Sequence, residues 1–203
     1  MTKSMLLGAM VTIVLAMGSC STTTTTLSHV IKSDAYRGGR ITKVLVIGVS
    51  KQPDVRKLFE DEFVEELKRR GINAVAGYSV IPYDKIADRE YLVSNVRELG
   101  VDSVVVTRLL NTRTYQKYNQ GQVSNIPLDY GSENTYYGYC AAGSSAECTA
   151  EEAIYLKTNV YDAKTEKLIW SGLSQTLVEG ATPELIRSFV PVIVKRLYDD
   201  KIL

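Results

Sequence analysis

The apolar residues between positions 41 and 110 follow two different periods, which predict three strands separated by two helices. Each predicted strand is a short, nearly continuous apolar run rich in β-branched residues, as in strands buried on both faces. Between these runs, apolar residues recur at steps of three and four and so form one face of a helix. The order β-α-β-α-β favours right-handed crossovers and a largely parallel layer. The predicted strands cover residues 41–50, 72–80 and 101–110.

Proline, acidic residues and glycine mark where the two predicted helices begin and end. Pro53 suits the first position of a helix, and Gly71 is predicted to end that helix. Asp84 is predicted to cap the second helix, which Gly100 ends. The apolar face of the first helix is predicted to consist of Val55, Leu58, Phe59, Phe63, Val64 and Leu67.

The C-terminal part of the chain predicts an antiparallel hairpin and a last helix. Residues 154–161 alternate between apolar and polar side chains, and residues 168–177 return as their partner. A helix is predicted to begin at Thr182, whose hydroxyl can cap it, followed by Pro183. Residues 41–203 are therefore predicted to form one α/β (α+β) domain: β-α-β-α-β, then an antiparallel hairpin and a C-terminal helix, around one mixed sheet.

Residues 111–150 show no helical period and form a tyrosine-rich insertion in this domain. Part of the insertion is predicted to be a hairpin that turns at residues 119–121. Unstructured segments of this length are uncommon in compact domains and often carry function. Tyrosine gives rigid, amphipathic contact area, so the cluster is a candidate binding surface, although the rings could instead cover a sheet face. The cluster consists of Tyr115, Tyr118, Tyr130, Tyr136, Tyr137 and Tyr139.

The first twenty residues have the anatomy of an export signal. Lys3 is followed by an apolar run over residues 5–17, and then by Gly18, Ser19 and Cys20. The run is shorter than the ~20 residues needed to span a bilayer. The arrangement resembles the lipobox of bacterial lipoproteins, which implies cleavage before Cys20 and lipid on its thiol and its new amine. A chance cysteine after an ordinary secretory signal is the alternative.

The lipobox resemblance also implies where the mature chain is held. Residues 1–19 would be the removed signal peptide. Enterobacterial lipoproteins that stay in the inner membrane have Asp after the lipidated cysteine, whereas this chain has Ser21, so the outer membrane is implied, with the domain facing the periplasm. Residues 20–40 begin with a polar, uncharged run of Ser and Thr and are predicted to be a lipidated tether.

The two other cysteines, Cys140 and Cys148, are predicted to form a disulfide. The periplasm is oxidising, and the small residues between the two cysteines can close the loop. Two free thiols, or a loop closed by contacts alone, are the alternatives. Two cysteines and one histidine do not make the usual four-ligand zinc site without carboxylates, so no metal is predicted.

Charge and histidine content argue against nucleic-acid binding and against several kinds of catalysis. Without Lys3 the chain has 23 basic and 23 acidic residues, and no block of like charge that could bind phosphates. The only histidine, His29, lies in the predicted tether, and no phosphate loop or dinucleotide fingerprint occurs. We therefore predict no catalytic residue and no cofactor. The carboxylates predicted to lie on a solvated helix face are Asp61, Glu62, Glu65 and Glu66.

Residues 160–172 resemble a hairpin that recurs in bacterial envelope lipoproteins. In those proteins a strand ending in Asp-Ala meets a strand in which Trp precedes a polar residue and Gly. Glu166 stands where many relatives have a left-handed Gly. Over residues 41–198 the order of elements resembles uncharacterised outer-membrane lipoprotein families with a mixed α/β domain, and more distantly the curli-secretion and peptidoglycan-synthase-activator lipoproteins.

Anchor, composition and insertion together favour a non-catalytic binding or assembly module for envelope proteins or polymers, held to the membrane by its lipid. An oligomeric secretion or pore component is an alternative. It would need strands that alternate apolar and polar residues over ~9–11 positions, which residues 111–150 do not show. An enzyme acting on cell-wall glycan is the third and least favoured hypothesis.

Overall fold

The computed structural model describes residues 23–33, 36, 39, 41–118, 148–178 and 181–203. The strands are β1 (Thr24–Lys32), β2 (Lys43–Val49), β3 (Asn73–Ala76), β4 (Ser103–Tyr118), β5 (Cys148–Asp162) and β6 (Leu168–Val178). The helices are α1 (Pro53–Arg69), α2 (Arg89–Leu99) and α3 (Thr182–Asp199), and two short 3-10 turns cover Gly77–Ser79 and Tyr83–Lys85.

The six strands form one mixed sheet, in the order β1-β6-β5-β4-β2-β3. Strand β2 pairs in parallel with β3 and β4, and the other neighbours are antiparallel. The predicted fold class is therefore confirmed: a β-α-β-α-β unit, an antiparallel hairpin and a C-terminal helix share one mixed sheet.

Strand β2 is buried on both faces, which explains its continuous apolar run. Val44 and Val46 contribute to one core, under α1 and α3, with the fully buried rings of Phe63, Phe189 and Trp170. Leu45 and Ile47 point the other way, into a smaller core that includes Val96 of α2. Because successive strand residues face opposite sides, β2 connects the two layers.

Glycine ends α1 and α2 as predicted, and α3 begins at Thr182 as predicted, but α2 begins later than expected and Thr182 does not cap α3. Gly71 and Gly100 both have left-handed backbones, with φ of 78° and 59°. Asp84 lies inside a 3-10 turn, and it is Asp88 that caps α2, accepting a hydrogen bond from the Tyr91 amide at 3.1 Å. Helix α3 starts after Ala181, which offers no capping side chain.

The prediction of a tether over residues 20–40 is wrong for Thr24–Lys32, which form edge strand β1. This strand pairs antiparallel with β6, and Leu27 and Val30 pack against the larger core. Its β-branched threonines favour an extended backbone. Its few apolar residues do not alternate regularly with polar ones, because a bulge at His29, whose φ is 50°, breaks the alternation. For these reasons the hydrophobic pattern gives little sign of the strand.

At the lower end of the sheet, where β2 and β4 begin, Asp102 joins their first residues. One carboxylate oxygen accepts hydrogen bonds from the Thr42 amide and hydroxyl, both at 2.8 Å, and from the Lys43 amide at 2.9 Å. The backbone hydrogen bond from Thr42 is the main reason that the pKa of Asp102 lies below its ordinary value. The side chain therefore fixes the register of the two strands where they start.

The hairpin between β5 and β6 has the local geometry that its sequence indicates. Asp162 accepts hydrogen bonds from the Thr165 amide at 2.7 Å and hydroxyl at 2.6 Å, and Glu166 takes the left-handed conformation, with φ of 59°. The Trp170 ring is fully buried over Gly172. A Cβ atom built on Gly172 would lie 2.3 Å from the Trp170 ring. The Trp-Ser-Gly sequence is thus a packing requirement.

Replacing Gly172 with Ala is expected to destabilise the domain by about 1–3 kcal/mol, because the new methyl group overlaps a ring that has no room to move. Gly39→Ala is the matched control, because nothing lies within 4 Å of its added Cβ atom. Urea denaturation of both variants gives the free energies of unfolding. Equal values for the two variants would contradict this account of Gly172.

Candidate functional site

The upper end of the sheet is the end where β2, β4 and β6 finish and where β1 starts. The registers place Val49 beside Arg108, and Thr24 beside Leu177, at this end. Helices α1 and α3 both begin here, directly after β2 and β6. In α/β sheets, ligands bind preferentially at the carboxyl ends of the parallel strands. The upper end is therefore the place to look for a site.

Strand β4 extends far beyond β2 at the upper end, together with its partner β5. β2 accompanies β4 only as far as Arg108, whereas β4 and β5 stay paired up to Tyr118 opposite Cys148. Ten residues at ~3.3 Å each carry β4 about 33 Å past the end of β2. The predicted insertion over residues 111–150 is thus partly regular, because both of its ends belong to these strands.

The part of the hairpin next to the domain has exposed apolar residues at a bulge. Leu109 is 55% exposed and Leu110 is 45% exposed, and the register with β5 shifts between Leu109 and Asn111. From Leu109 onward, the edge of β4 that faces β2 has no strand partner among the described residues. An unpaired strand edge presents backbone N–H and C=O groups that can pair with another strand.

Only part of the predicted tyrosine surface can be placed. The backbone of Tyr115 lies opposite Glu151, and that of Tyr118 lies opposite Cys148. The other predicted site residues lie outside the described residues, so the tyrosine surface, the disulfide and the lipid attachment stay predictions. These residues are Cys20, Tyr130, Tyr136, Tyr137, Tyr139 and Cys140.

A cavity of about 530 Å³ opens at the upper end, between the hairpin and the first turns of α1 and α3. Its walls are mostly apolar, and polar residues from the loop after β2, including Lys51 and Gln52, also line it. The size lies in the range of ordinary small-molecule sites. Apolar residues of its walls include Val49, Val55, Leu109, Ile154, Leu156 and Leu185.

A buried ion pair adjoins this cavity. The Arg56 Nε donates to Glu60 Oε1 at 2.8 Å, and the Arg56 Nη2 donates to the Ile81 carbonyl at 2.9 Å. Glu60 is completely buried and also accepts from the amides of Gly48 at 2.9 Å and Tyr78 at 2.5 Å. The carboxylate therefore joins α1 to the ends of β2 and β3.

The Glu60 carboxylate also explains why the third predicted element is a short strand. We expected a strand over residues 72–80, but β3 ends at Ala76 and the chain turns at Gly77. A Cβ atom on Gly77 would lie 2.7 Å from the Val46 carbonyl oxygen, so only glycine permits this close approach. The Tyr78 amide then donates its hydrogen bond to Glu60 instead of to a neighbouring strand, and the chain leaves the sheet.

Sequence reasoning missed the Arg56–Glu60 pair, although the spacing contains a signal for it. Positions 56, 60, 63 and 67 follow one another at steps of four, three and four, so Arg56 and Glu60 lie on the same helical face as Phe63 and Leu67. A charged pair in line with core residues indicates a buried ion pair. The prediction of a solvated face covers Asp61, Glu62, Glu65 and Glu66 and does not include Glu60.

The four carboxylates predicted to be solvated do not share one environment. The side chain of Glu65 is 68% exposed, as expected. Glu66 contradicts the prediction, because it is buried and forms ion pairs with Arg69 and Arg70. Asp61 pairs with Lys57, and Glu62 pairs with Arg187 of α3.

The described residues include the histidine and most of the side chains that could bind a metal ion. His29 is exposed in the bulge of β1. Among the described residues, no three His, Cys, Asp or Glu side chains come together in a way that could hold a metal ion. Within the same residues, no helix has the length and apolar character needed to cross a membrane.

Comparison with known proteins shows no family for this chain. No protein-family model matches it, and no curated protein is similar in sequence. The solved structure of the PelC dodecamer from Paraburkholderia phytofirmans is 13% identical, with a TM-score of 0.47, over 86% of this chain and 97% of that chain.

Two further solved structures with some similarity are lipoproteins. GNA1162 from Neisseria meningitidis is 15% identical, with a TM-score of 0.42, over 78% of this chain and 99% of that chain. The minor lipoprotein from Acinetobacter baumannii is 8% identical, with a TM-score of 0.36, over 79% of this chain and 95% of that chain. At such scores and identities we transfer no property from any of the three.

Replacing Glu60 with Ala is expected to destabilise the domain by about 3–5 kcal/mol, because the buried Arg56 guanidinium loses its carboxylate. The double replacement of Arg56 and Glu60 with Met should recover much of this loss, because no buried charge remains unpaired. Glu65→Ala, on the exposed side of α1, should change the free energy of unfolding by less than about 0.5 kcal/mol. Chemical denaturation of the variants measures these differences, and a small loss in Glu60→Ala would show that the pair is dispensable.

Proposed function

We propose that this protein is a lipid-anchored envelope lipoprotein of the outer membrane, facing the periplasm, and that it acts as a non-catalytic binding or assembly module. The observation that carries this proposal is the β4–β5 hairpin, which continues well past β2. We assign the contact surface to this hairpin, including the tyrosine-rich residues at its far end.

The geometry of the hairpin supports a role in binding. Folded proteins usually protect long strand edges against unwanted pairing, by charges, bulges or covering segments. Here the edge of β4 beyond Arg108 lacks a neighbouring strand among the described residues, and it begins with two exposed leucines, Leu109 and Leu110. A partner could add a strand to this edge and cover both leucines at once.

The charges on the hairpin support a partner with acidic groups. Arg108 and Lys157 lie directly opposite each other in the register of β4 and β5, and neither has an ion pair within the described part of the chain. Like charges at opposite positions destabilise a sheet. Five residues beyond Arg108, Arg113 lies over the ring of Tyr155 at 5.6 Å. These cationic groups would attract an acidic peptide segment.

The short distance between Cys20 and β1 supports an anchored domain close to its membrane. Three residues separate Cys20 from Thr24, so the four Cα–Cα steps between them span at most about 14 Å. Thr24 lies at the upper end of the sheet, where it pairs with Leu177. A lipid on Cys20 would therefore hold the upper end, with its hairpin, towards the bilayer.

The hydrogen bonds of the buried Arg56 and Glu60 side chains are consistent with a non-catalytic role. Arg56 and Glu60 bind each other and three backbone groups, which suits a structural ion pair better than proton transfer. A general acid or base needs a reacting group within hydrogen-bonding distance and a pKa matched to the reaction. We infer that the cavity beside this pair binds rather than converts its ligand.

The length of the hairpin favours one alternative, an oligomeric secretion or pore component. Strands of 16 and 15 residues exceed the ~9–11 residues that cross a bilayer. Their composition does not favour it, because β4 from Asn111 to Thr114 is polar on both faces. The binding module therefore remains our preferred function.

The first test of the proposal concerns the anchor. A chain carrying Cys20→Ala is expected to lose incorporation of an alkyne analogue of palmitate in growing cells, because its thiol and new amine are no longer available for acylation. Cys148→Ala should incorporate the analogue like the unmodified chain. Labelling that persists in Cys20→Ala would overturn the assignment of the lipid to this residue.

The second test concerns the contact surface. A photoreactive amino acid at Leu110, beside the edge of β4 that lacks a strand partner among the described residues, is expected to crosslink a discrete envelope protein in cells, because Leu110 is exposed there. The same probe at Glu65, which is also exposed, on α1, is the control. Adducts at both positions, or at neither, would contradict a specific contact surface on the hairpin.

A further inference from the structure

The cavity at the upper end has the chemistry of a site for an apolar ligand. Aliphatic residues of six elements face it, among them Val55 of α1, Ile154 of β5 and Leu185 of α3. The one buried cation on its wall, Arg56, is engaged with Glu60 and the Ile81 carbonyl. An apolar chain could fill the space without leaving a buried polar group unpaired.

The surroundings of the cavity mouth are also apolar. The exposed large hydrophobic residues of the described chain are Ile31, Tyr83, Leu109, Leu110, Leu168 and Tyr198. Three of them lie at the upper end: Tyr83 and Leu109 line the cavity, and Leu110 follows directly in β4. Exposed apolar side chains grouped around a cavity mark a contact with a protein, a ligand or a membrane.

The cavity lies close to the N-terminal segment, and this position indicates which apolar ligand could reach it. Val178 and Thr182, which line the cavity, flank the end of β6, and Thr24 of β1 pairs with Leu177 at that same end. The Thr23 carbonyl accepts a hydrogen bond from the Ser188 hydroxyl of α3 at 2.9 Å. The N-terminal segment thus enters the fold beside the cavity, a few residues after Cys20.

We propose that this cavity binds an acyl chain of a membrane lipid, which enters from the leaflet that holds the anchor. The proposal rests on the proposed lipid anchor for its source of lipid, but the apolar site itself does not depend on the anchor. The lipid headgroup stays outside, near Lys51 and Gln52 at the rim. Binding would pin the upper end to the bilayer at a second point, separate from Cys20.

Photolabelling in vesicles tests the proposal directly. The lipidated chain is inserted into phosphatidylcholine vesicles that contain a phosphatidylcholine with a diazirine on one acyl chain. Labelling is expected on the peptide that contains Ile154. In Val55→Trp it should fall by about tenfold, because the indole fills the space of the acyl chain.

The matched control is Val93→Trp, which enlarges a half-buried valine of α2 on the opposite face of the sheet. It should keep the labelling of the unmodified chain. Thermal unfolding of both variants shows whether each is folded, and Leu109→Gln, at the exposed mouth, serves as a milder second variant that should also reduce labelling. Labelling that is unchanged in folded Val55→Trp, or that lies outside the cavity, would overturn the proposal.

A second arm separates this site from the anchor. The full chain carrying Cys20→Ala is mixed with a free palmitic acid that bears a diazirine, without vesicles. Labelling of the same peptide shows that the cavity binds acyl chains whether or not the chain is anchored. If Cys20→Ala is labelled but the lipidated chain in vesicles is not, the bilayer is overturned as the source, because the lipid on Cys20 occupies the cavity. If neither is labelled, the acyl-chain site itself is overturned.

Discussion

The carboxylate of Glu60 holds together three segments that sheet hydrogen bonds alone do not position. It accepts hydrogen bonds from the Gly48 amide near the end of β2 and from the Tyr78 amide just after β3. It also accepts one from the Arg56 side chain, which belongs to the same helix. A charge in the interior persists only where its hydrogen bonds replace those of water. Because all these bonds converge on one side chain, the first turns of α1 have a fixed place relative to the end of β2. That placement sets one wall of the cavity.

The parts of the fold that the sequence predicts well are those buried on two sides. The apolar run of β2 divides cleanly between the two cores, with Val44 and Val46 on one side and Leu45 and Ile47 on the other. The parts that pattern reasoning misses are exposed on at least one side. Strand β1 is an edge strand of threonines, and β4 beyond Arg108 carries polar residues on both faces, so neither has a period to detect.

The candidate site was less predictable than the fold, for a related physical reason. The tyrosine cluster marks the hairpin region correctly as unusual, and Tyr115 and Tyr118 do lie in its strands. The cavity, however, is assembled from β2, α1, β4, β5, β6 and α3, which are spread along the chain. The spacing of residues within one segment of the sequence cannot predict a cavity formed by several distant segments. The two ends of the sheet also differ: at the lower end Asp102 joins the starts of β2 and β4 and Asp162 stabilises the turn between β5 and β6, whereas at the upper end β4 continues past β2.

The placement of β1 at the edge has a consequence for the order in which the chain can fold. Thr25 and Thr176, whose hydroxyls meet at 2.9 Å, are 151 residues apart in sequence. Contacts over such separations close large loops and form slowly. Strand β1 is synthesised before the other strands, but it can pair only after β6 has been synthesised, because β6 is its partner in the sheet. Until then the residues of β1 are not held against the sheet, and they stay accessible to enzymes that act on the emerging chain.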